Sequence, residues 1–131
     1  MNGTDAIYFI ALGGALGAIV RYTTQELFAQ QSRLPGWVAI GLVNLSGCLL
    51  LGLLQGTTTE DVVDATVSPG SRWLMLWVSF CGGLTTFSTF SLDNLLLSYR
   101  YRGQLAFNLM GSLFGGWGMV LVGLFLSHHV F

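Results

Sequence analysis

Four stretches of the chain are apolar for long enough to cross a bilayer, which takes about 20 mostly apolar residues per helix. They run from Ile7 to about Leu27, from Trp37 to Gly56, from Trp73 to about Leu97 and from Gln104 to Leu126. This pattern predicts four spanning helices joined by polar connections. "AQQSRLPG" ends in a Pro-Gly turn before the second helix, and "SYRYRG" separates the third from the fourth. The longest connection, "TTTEDVVDATVSPGSR" at residues 57–72, is acidic and reads as a surface loop. In 131 residues, four such helices leave no room for a second domain, so 1–131 reads as one transmembrane domain.

Composition turns the pattern into a class. Of the 131 residues 53% are hydrophobic and 8% are charged, against about 25% charged in a soluble domain. So few charges cannot cover a water-facing surface, and the chain reads as an all-α integral membrane protein. There is no lysine, and the cations are Arg21, Arg33, Arg72, Arg100 and Arg102. Nothing here suggests a nucleic-acid partner. No Ser/His/Asp set, metal-ligand cluster or cofactor fingerprint marks an enzyme. His128 and His129 read as a solvated tail, and Cys48 and Cys81, both inside apolar runs, as small packing residues. The N-terminus lacks a basic segment before its apolar run, so no cleaved signal peptide is expected. Arg33, Arg100 and Arg102 fall on one side of the membrane, opposite Arg72 and both termini. That leans weakly towards termini outside, a margin small enough to allow insertion both ways.

The polar residues at membrane depth carry the functional signal. "CGGLTTFSTFSLD", Cys81 to Asp93, has two glycines, five hydroxyls and two phenylalanines inside the third span. It is a poor continuous helix, because glycine is flexible and the hydroxyls compete for backbone partners. A break near Gly82–Ser91 would free backbone groups, which is tolerated only where they are buried in protein or line a cavity. The alternative is an unbroken helix whose Ser and Thr bond back to their own carbonyls. Phe87 and Phe90 share a helix face: they are either core packing or rings whose positive edges favour an anion. Asp93 follows one turn on, as an interfacial carboxylate or a gating or proton-linked group.

Elsewhere, Arg21 follows fourteen apolar residues from Ile7 to Val20. A charge within a span costs about 2.5–3.5 kcal/mol on insertion scales. Arg21 either snorkels to the interface or serves the interior, by structure or by drawing an anion into a vestibule. "VNLSGCLLLG" and "FNLMGSLFGG" echo each other, and place Asn44 and Asn108 alike in the second and fourth helices. Each amide reads as an interhelical brace or as a donor beside an anion route. Glycines four apart, at Gly13 and Gly17, Gly52 and Gly56, and Gly111 and Gly115, predict closely packed helices.

The motifs "GGALGAIVRY", "VNLSGCLLLG" and above all "CGGLTTFSTFS" resemble the CrcB/Fluc family of small fluoride channels, nearly end to end. The resemblance implies an antiparallel, dual-topology homodimer of four-helix subunits in the bacterial inner membrane, with two pores that let fluoride leave passively and so relieve its toxicity. Asn44 would supply an amide along each pore, Phe87 and Phe90 its lining rings, and Ser88 and Thr89 supporting hydroxyls. Backbone carbonyls of Gly82 and Thr85 would hold a structural Na⁺ at the dimer interface. Arg21 would stand near a vestibule. Asp93 lies where many members carry glutamate, and Phe107 where some carry tyrosine, which leaves Asn108 and Ser112 as the polar groups of the fourth helix. Two other classes compete. A proton-coupled dual-topology exporter would need a membrane-embedded carboxylate, which the first span lacks. A non-transporting assembly subunit would use its glycines for packing alone.

Overall fold

The computed structural model describes residues 3–31, 35–57 and 72–130, and all of them outside the short connections are helical. The acidic loop at 58–71 and the Ser32–Leu34 stretch with Arg33 lie outside the described residues. The helices are α1 (Gly3–Gln31), α2 (Gly36–Gly56), α3 (Arg72–Leu84), α4 (Phe87–Arg100) and α5 (Arg102–Val130). α3 and α4 together make one span, so the described residues hold four lengths of helix able to cross a membrane. α1 and α5 extend a few residues beyond the apolar runs that predict them, since helical hydrogen bonding continues into the polar flanks, whereas α2 matches its run to within one residue.

The spans pack as two pairs, α1 with α3 and α2 with α5. Glycine decides both contacts. A Cβ at Gly13 would strike the carbonyl of Leu76, and one at Gly17 the carbonyl of Phe80. On α3, a Cβ at Gly83 would fall on the Gly14 carbonyl. In the other pair, Gly52 meets the Val120 carbonyl and Gly123 lies against Leu49 and Leu53. Without apolar solvent exclusion to drive helices together in lipid, such backbone approach is what holds them. Both pairs run parallel, because contact partners rise together along each: 13 with 76 and 17 with 80, 52 with 120 and 56 with 127. That is the order demanded by a chain crossing four times, with odd spans in one direction and even spans in the other.

Of the three glycine pairs expected to pack, Gly111 and Gly115 differ from the rest. Gly111 has open space around it, and Gly115 meets only the side chain of Leu45. α2 is the central helix, touching each of the other four and burying Ala39, Ile40, Val43, Gly47 and Gly52. Large apolar side chains cover the outside, among them Ile7, Ile19, Leu113, Phe114 and Trp117. A water-facing monomer rarely shows so much contiguous apolar surface; lipid is its natural solvent.

The turn between α4 and α5 is a single residue. The Tyr101 N–H donates to the Leu97 carbonyl at 2.8 Å, while its own carbonyl accepts from the Leu105 N–H at 3.0 Å. One residue thus ends one helix and begins the next, folding α5 back along α4.

Candidate functional site

The third span breaks at Thr85 and Thr86. Gly82 and Gly83 remain inside α3; the break comes where hydroxyl side chains take over from the helical ladder. Thr85 ends α3 by placing both its N–H and its hydroxyl on the Cys81 carbonyl, each at 3.0 Å. Thr86 is extended, at φ −147° and ψ 125°, and caps α4: its hydroxyl accepts from the Thr89 N–H at 3.3 Å. A threonine N-cap satisfies one of the donors that a helix start leaves free. The same hydroxyl donates to the Thr89 Oγ1 at 3.3 Å and lies 3.2 Å from the Ser88 Oγ.

Two side chains from other spans hold the freed backbone. Asn44, on α2, reads the peptide groups of Thr86 on both sides: the Thr86 N–H donates to Asn44 Oδ1 at 2.8 Å, and Asn44 Nδ2 donates to the Thr86 carbonyl at 3.2 Å. Arg21, on α1, donates from Nη1 to the Thr85 carbonyl at 3.0 Å. The cost of exposing peptide groups at this depth is thereby offset from two neighbouring helices. In an unbroken helix the Thr86 N–H would serve the Gly82 carbonyl; given to Asn44, it leaves that carbonyl without its helical donor. An amide nitrogen carries two hydrogens, so Asn44 keeps a second N–H beyond the one on Thr86.

A cavity of about 780 Å³ opens beside the break. Asn44, Gly82, Thr85, Phe87, Phe90 and Ser112 all line it, and so do Cys48, Cys81 and Met110. Phe87 is 80% exposed, which removes core packing as its role within the subunit. Its ring centroid stands 6.1 Å from that of Phe90, tilted by 42°. A carbonyl and amide break, an amide side chain, a hydroxyl and two aromatic rings therefore share one otherwise apolar space.

The remaining residues singled out from the sequence stand elsewhere. Arg21 is behind the break, engaged with the Thr85 carbonyl. Ser88 and Thr89 belong to the cap of α4. Asn108 is 4% exposed and donates through Nδ2 to Asn94 Oδ1 at 2.9 Å, bracing α5 on α4. Asp93 is half-buried in α4, with Oδ2 shielded from solvent and without a hydrogen-bond partner. Thr86, one of the hydroxyls crowded into the third span but not among the pore residues expected from the sequence, is the N-cap of α4, and a threonine just before an apolar run is a recognisable helix start.

A four-span membrane protein whose third span is interrupted at a polar, side-chain-braced break is the class defined by fold and site together. The CrcB-like, camphor-resistance (CrcB) family matches residues 8–124. The chain is 37% identical over 120 residues to the fluoride-specific ion channel FluC of Azotobacter vinelandii, covering 90% of this chain and 93% of that one. It is 36% identical over 101 residues to the FluC channel of Flavobacterium psychrophilum, covering 77% and 78% of the two chains. With the FluC channel of Methanococcus maripaludis it shares 35% over 118 residues, 89% and 91% of the two. The chain belongs to the CrcB family, whose members named here are ion channels and not enzymes.

Proposed function

We propose that the chain is the subunit of a fluoride-specific channel that lets the ion leave the cell passively and so relieves its toxicity. The observation that carries this reading is the break at Thr85–Thr86, held open by Asn44 and Arg21 beside the exposed ring of Phe87. Fluoride is small and strongly hydrated, and must exchange water for donors along its way. The second N–H of Asn44, the Ser112 hydroxyl and the positive edges of Phe87 and Phe90 are the groups on offer. Conduction asks that such sites be strong enough to enter and weak enough to leave. Scattered neutral donors meet that condition better than a bound cation facing the anion would. In a bacterial inner membrane, negative inside, flow down the electrochemical gradient is outward.

Two copies inserted antiparallel complete the proposed channel, since within one subunit the cavity presents Phe87 to the outside. The donor chemistry at the break also suits a structural sodium ion, which takes hard oxygen ligands. The Gly82 carbonyl has lost its helical donor, and the Thr85 carbonyl keeps one of its two lone pairs beside Arg21. These two oxygens would hold the ion, which would supply a fixed positive charge at the join between subunits.

The test is ion release from liposomes that contain the purified protein, read with a fluoride electrode and repeated with chloride. Fast fluoride release with little chloride release, from protein that runs as a dimer in mild detergent, is expected. Release no faster than from empty liposomes, by folded dimeric protein, would rule the channel out and bring the assembly-subunit reading forward.

A further inference from the structure

The turn that folds α5 back along α4 has an arginine on each side. Arg100 is the last residue of α4, Arg102 is the first of α5, and Tyr101 alone separates them. Two residues of chain span at most about 7 Å, so these two long side chains can meet on one group beside the turn. Both residues are exposed. The Arg100 guanidinium lies 5.9 Å from the centre of the Tyr101 ring. Beyond that, among the described residues neither arginine has a hydrogen bond or an ion pair. Arg21, by contrast, is engaged with the Thr85 carbonyl. The described carboxylates in this half of the bundle are Asp93, two turns back along α4, and Glu26 on α1, which packs on α2 and α3. A Cβ at Gly103 would meet nothing within 4 Å, so the approach to the turn is open.

The position of the turn says what that group is. Tyr99 and Tyr101 are 81% and 50% exposed, and exposed tyrosines mark the level where hydrocarbon meets headgroups. Deeper along α4, Leu92 and Leu96 are each more than half exposed. At about 100° per residue, Leu92, Leu96 and Tyr99 stand about 120–180° round α4 from Phe87, on the side away from the cavity. A second copy that covers the cavity therefore leaves this stripe in lipid. A cationic pair at headgroup level above an apolar stripe is the complement of an amphiphile with an anionic head. The planar guanidinium matches phosphate, and two of them favour a head with net negative charge over a zwitterionic one. We propose that the α4–α5 turn is a docking surface for an anionic phospholipid, with its phosphate between Arg100 and Arg102 and its acyl chains along Leu92 and Leu96. Bound there, one headgroup joins the end of α4 to the start of α5 and secures the turn that sets Asn94 against Asn108.

The test titrates the purified full chain, in neutral detergent, with phosphatidylglycerol and separately with phosphatidylcholine of the same acyl chains. Bound lipid is counted by native mass spectrometry. One phosphatidylglycerol per chain is expected, held at least ~10-fold more tightly than phosphatidylcholine. Arg100→Gln and Arg102→Gln should each weaken it ~5-fold, the usual worth of one arginine at an anionic surface, and the double variant should lose the preference. Arg72→Gln, at the opposite end of the bundle, is expected to bind like the unaltered chain. Phosphatidylglycerol should also raise the melting temperature of the unaltered chain and leave that of the double variant where it was. The double variant's melting transition without lipid shows that it is folded. Equal affinity for the two lipids would overturn the proposal, as would a loss in Arg72→Gln as large as in the double variant. Glycerophosphoglycerol, the same head without tails, is expected to bind at least ~100-fold more weakly than the whole lipid. Binding as tight as the lipid's would make the turn a site for free phosphate esters and overturn the docking of a lipid.

Discussion

The two helix pairs are built by one rule and used for different ends. In each, glycines let a helix backbone rest on its parallel partner. The α2–α5 pair stays helical throughout and carries that contact from Leu45 and Gly115 to Gly56 and Ser127. The α1–α3 pair makes the same contact from Gly13 to Leu84 and then loses its helix at the next residue. Packing is continuous up to the break, and the polar machinery begins where packing ends. A break placed amid the glycine contacts would have given up the backbone approach that holds the pair together. A break one step beyond them leaves a rigid frame on one side and a cavity on the other.

The contrast can be broken most severely at the frame. Gly13→Leu drives a side chain into the Leu76 carbonyl, which cannot move aside as a flexible side-chain tip could. Overpacking typically costs about 1–3 kcal/mol, and a backbone clash belongs at or beyond the top of that range. Loss of the folded species on size-exclusion in detergent is expected. Gly111→Leu, into open space, should elute and melt like the unaltered chain.

The break itself should respond next most strongly. Asn44→Ala removes both bonds to the Thr86 peptide groups, and each buried group left without a partner costs about 1–3 kcal/mol. A fall in fluoride release of at least ~10-fold is expected, together with a lower melting temperature. Asn108→Ala removes one brace, to Asn94, away from the cavity. It should lower the melting temperature by a smaller amount and change release less than ~2-fold. Equal losses of release in the two variants would show that the two asparagines do the same job.

The smallest effect on stability belongs to Phe87→Ile. At 80% exposure the ring contributes little packing within the subunit, so the melting temperature of the detergent-solubilised protein should change little. Release should nevertheless fall, because isoleucine has no positive ring edge to offer an anion. A variant that releases fluoride as before would take Phe87 off the route.

The spans were legible because a bilayer asks for a length of apolar sequence and little else. The break was legible as a region, from glycines and hydroxyls crowded at membrane depth, but its position was not. Gly83 looks like a hinge in the sequence and is in fact a contact, pressed on the Gly14 carbonyl. The hinge is Thr86, whose capping hydroxyl and paired asparagine are ordinary residues until α2 is placed beside it. The echo between the Asn44 and Asn108 motifs was visible, and both amides do brace neighbouring helices. What could not be read is that one brace grips the backbone at the cavity while the other grips a side chain behind it. That difference depends on the one-residue turn at Tyr101, which brings Asn94 opposite Asn108.

The parallel pairing has an electrical consequence. A helix is a dipole of about half an elementary charge at each end. Because one pair runs up and the other down, the four dipoles cancel within a subunit. A membrane potential therefore exerts almost no torque on the finished bundle, whichever way up it stands. The choice of orientation is left to the few arginines near the ends of the spans.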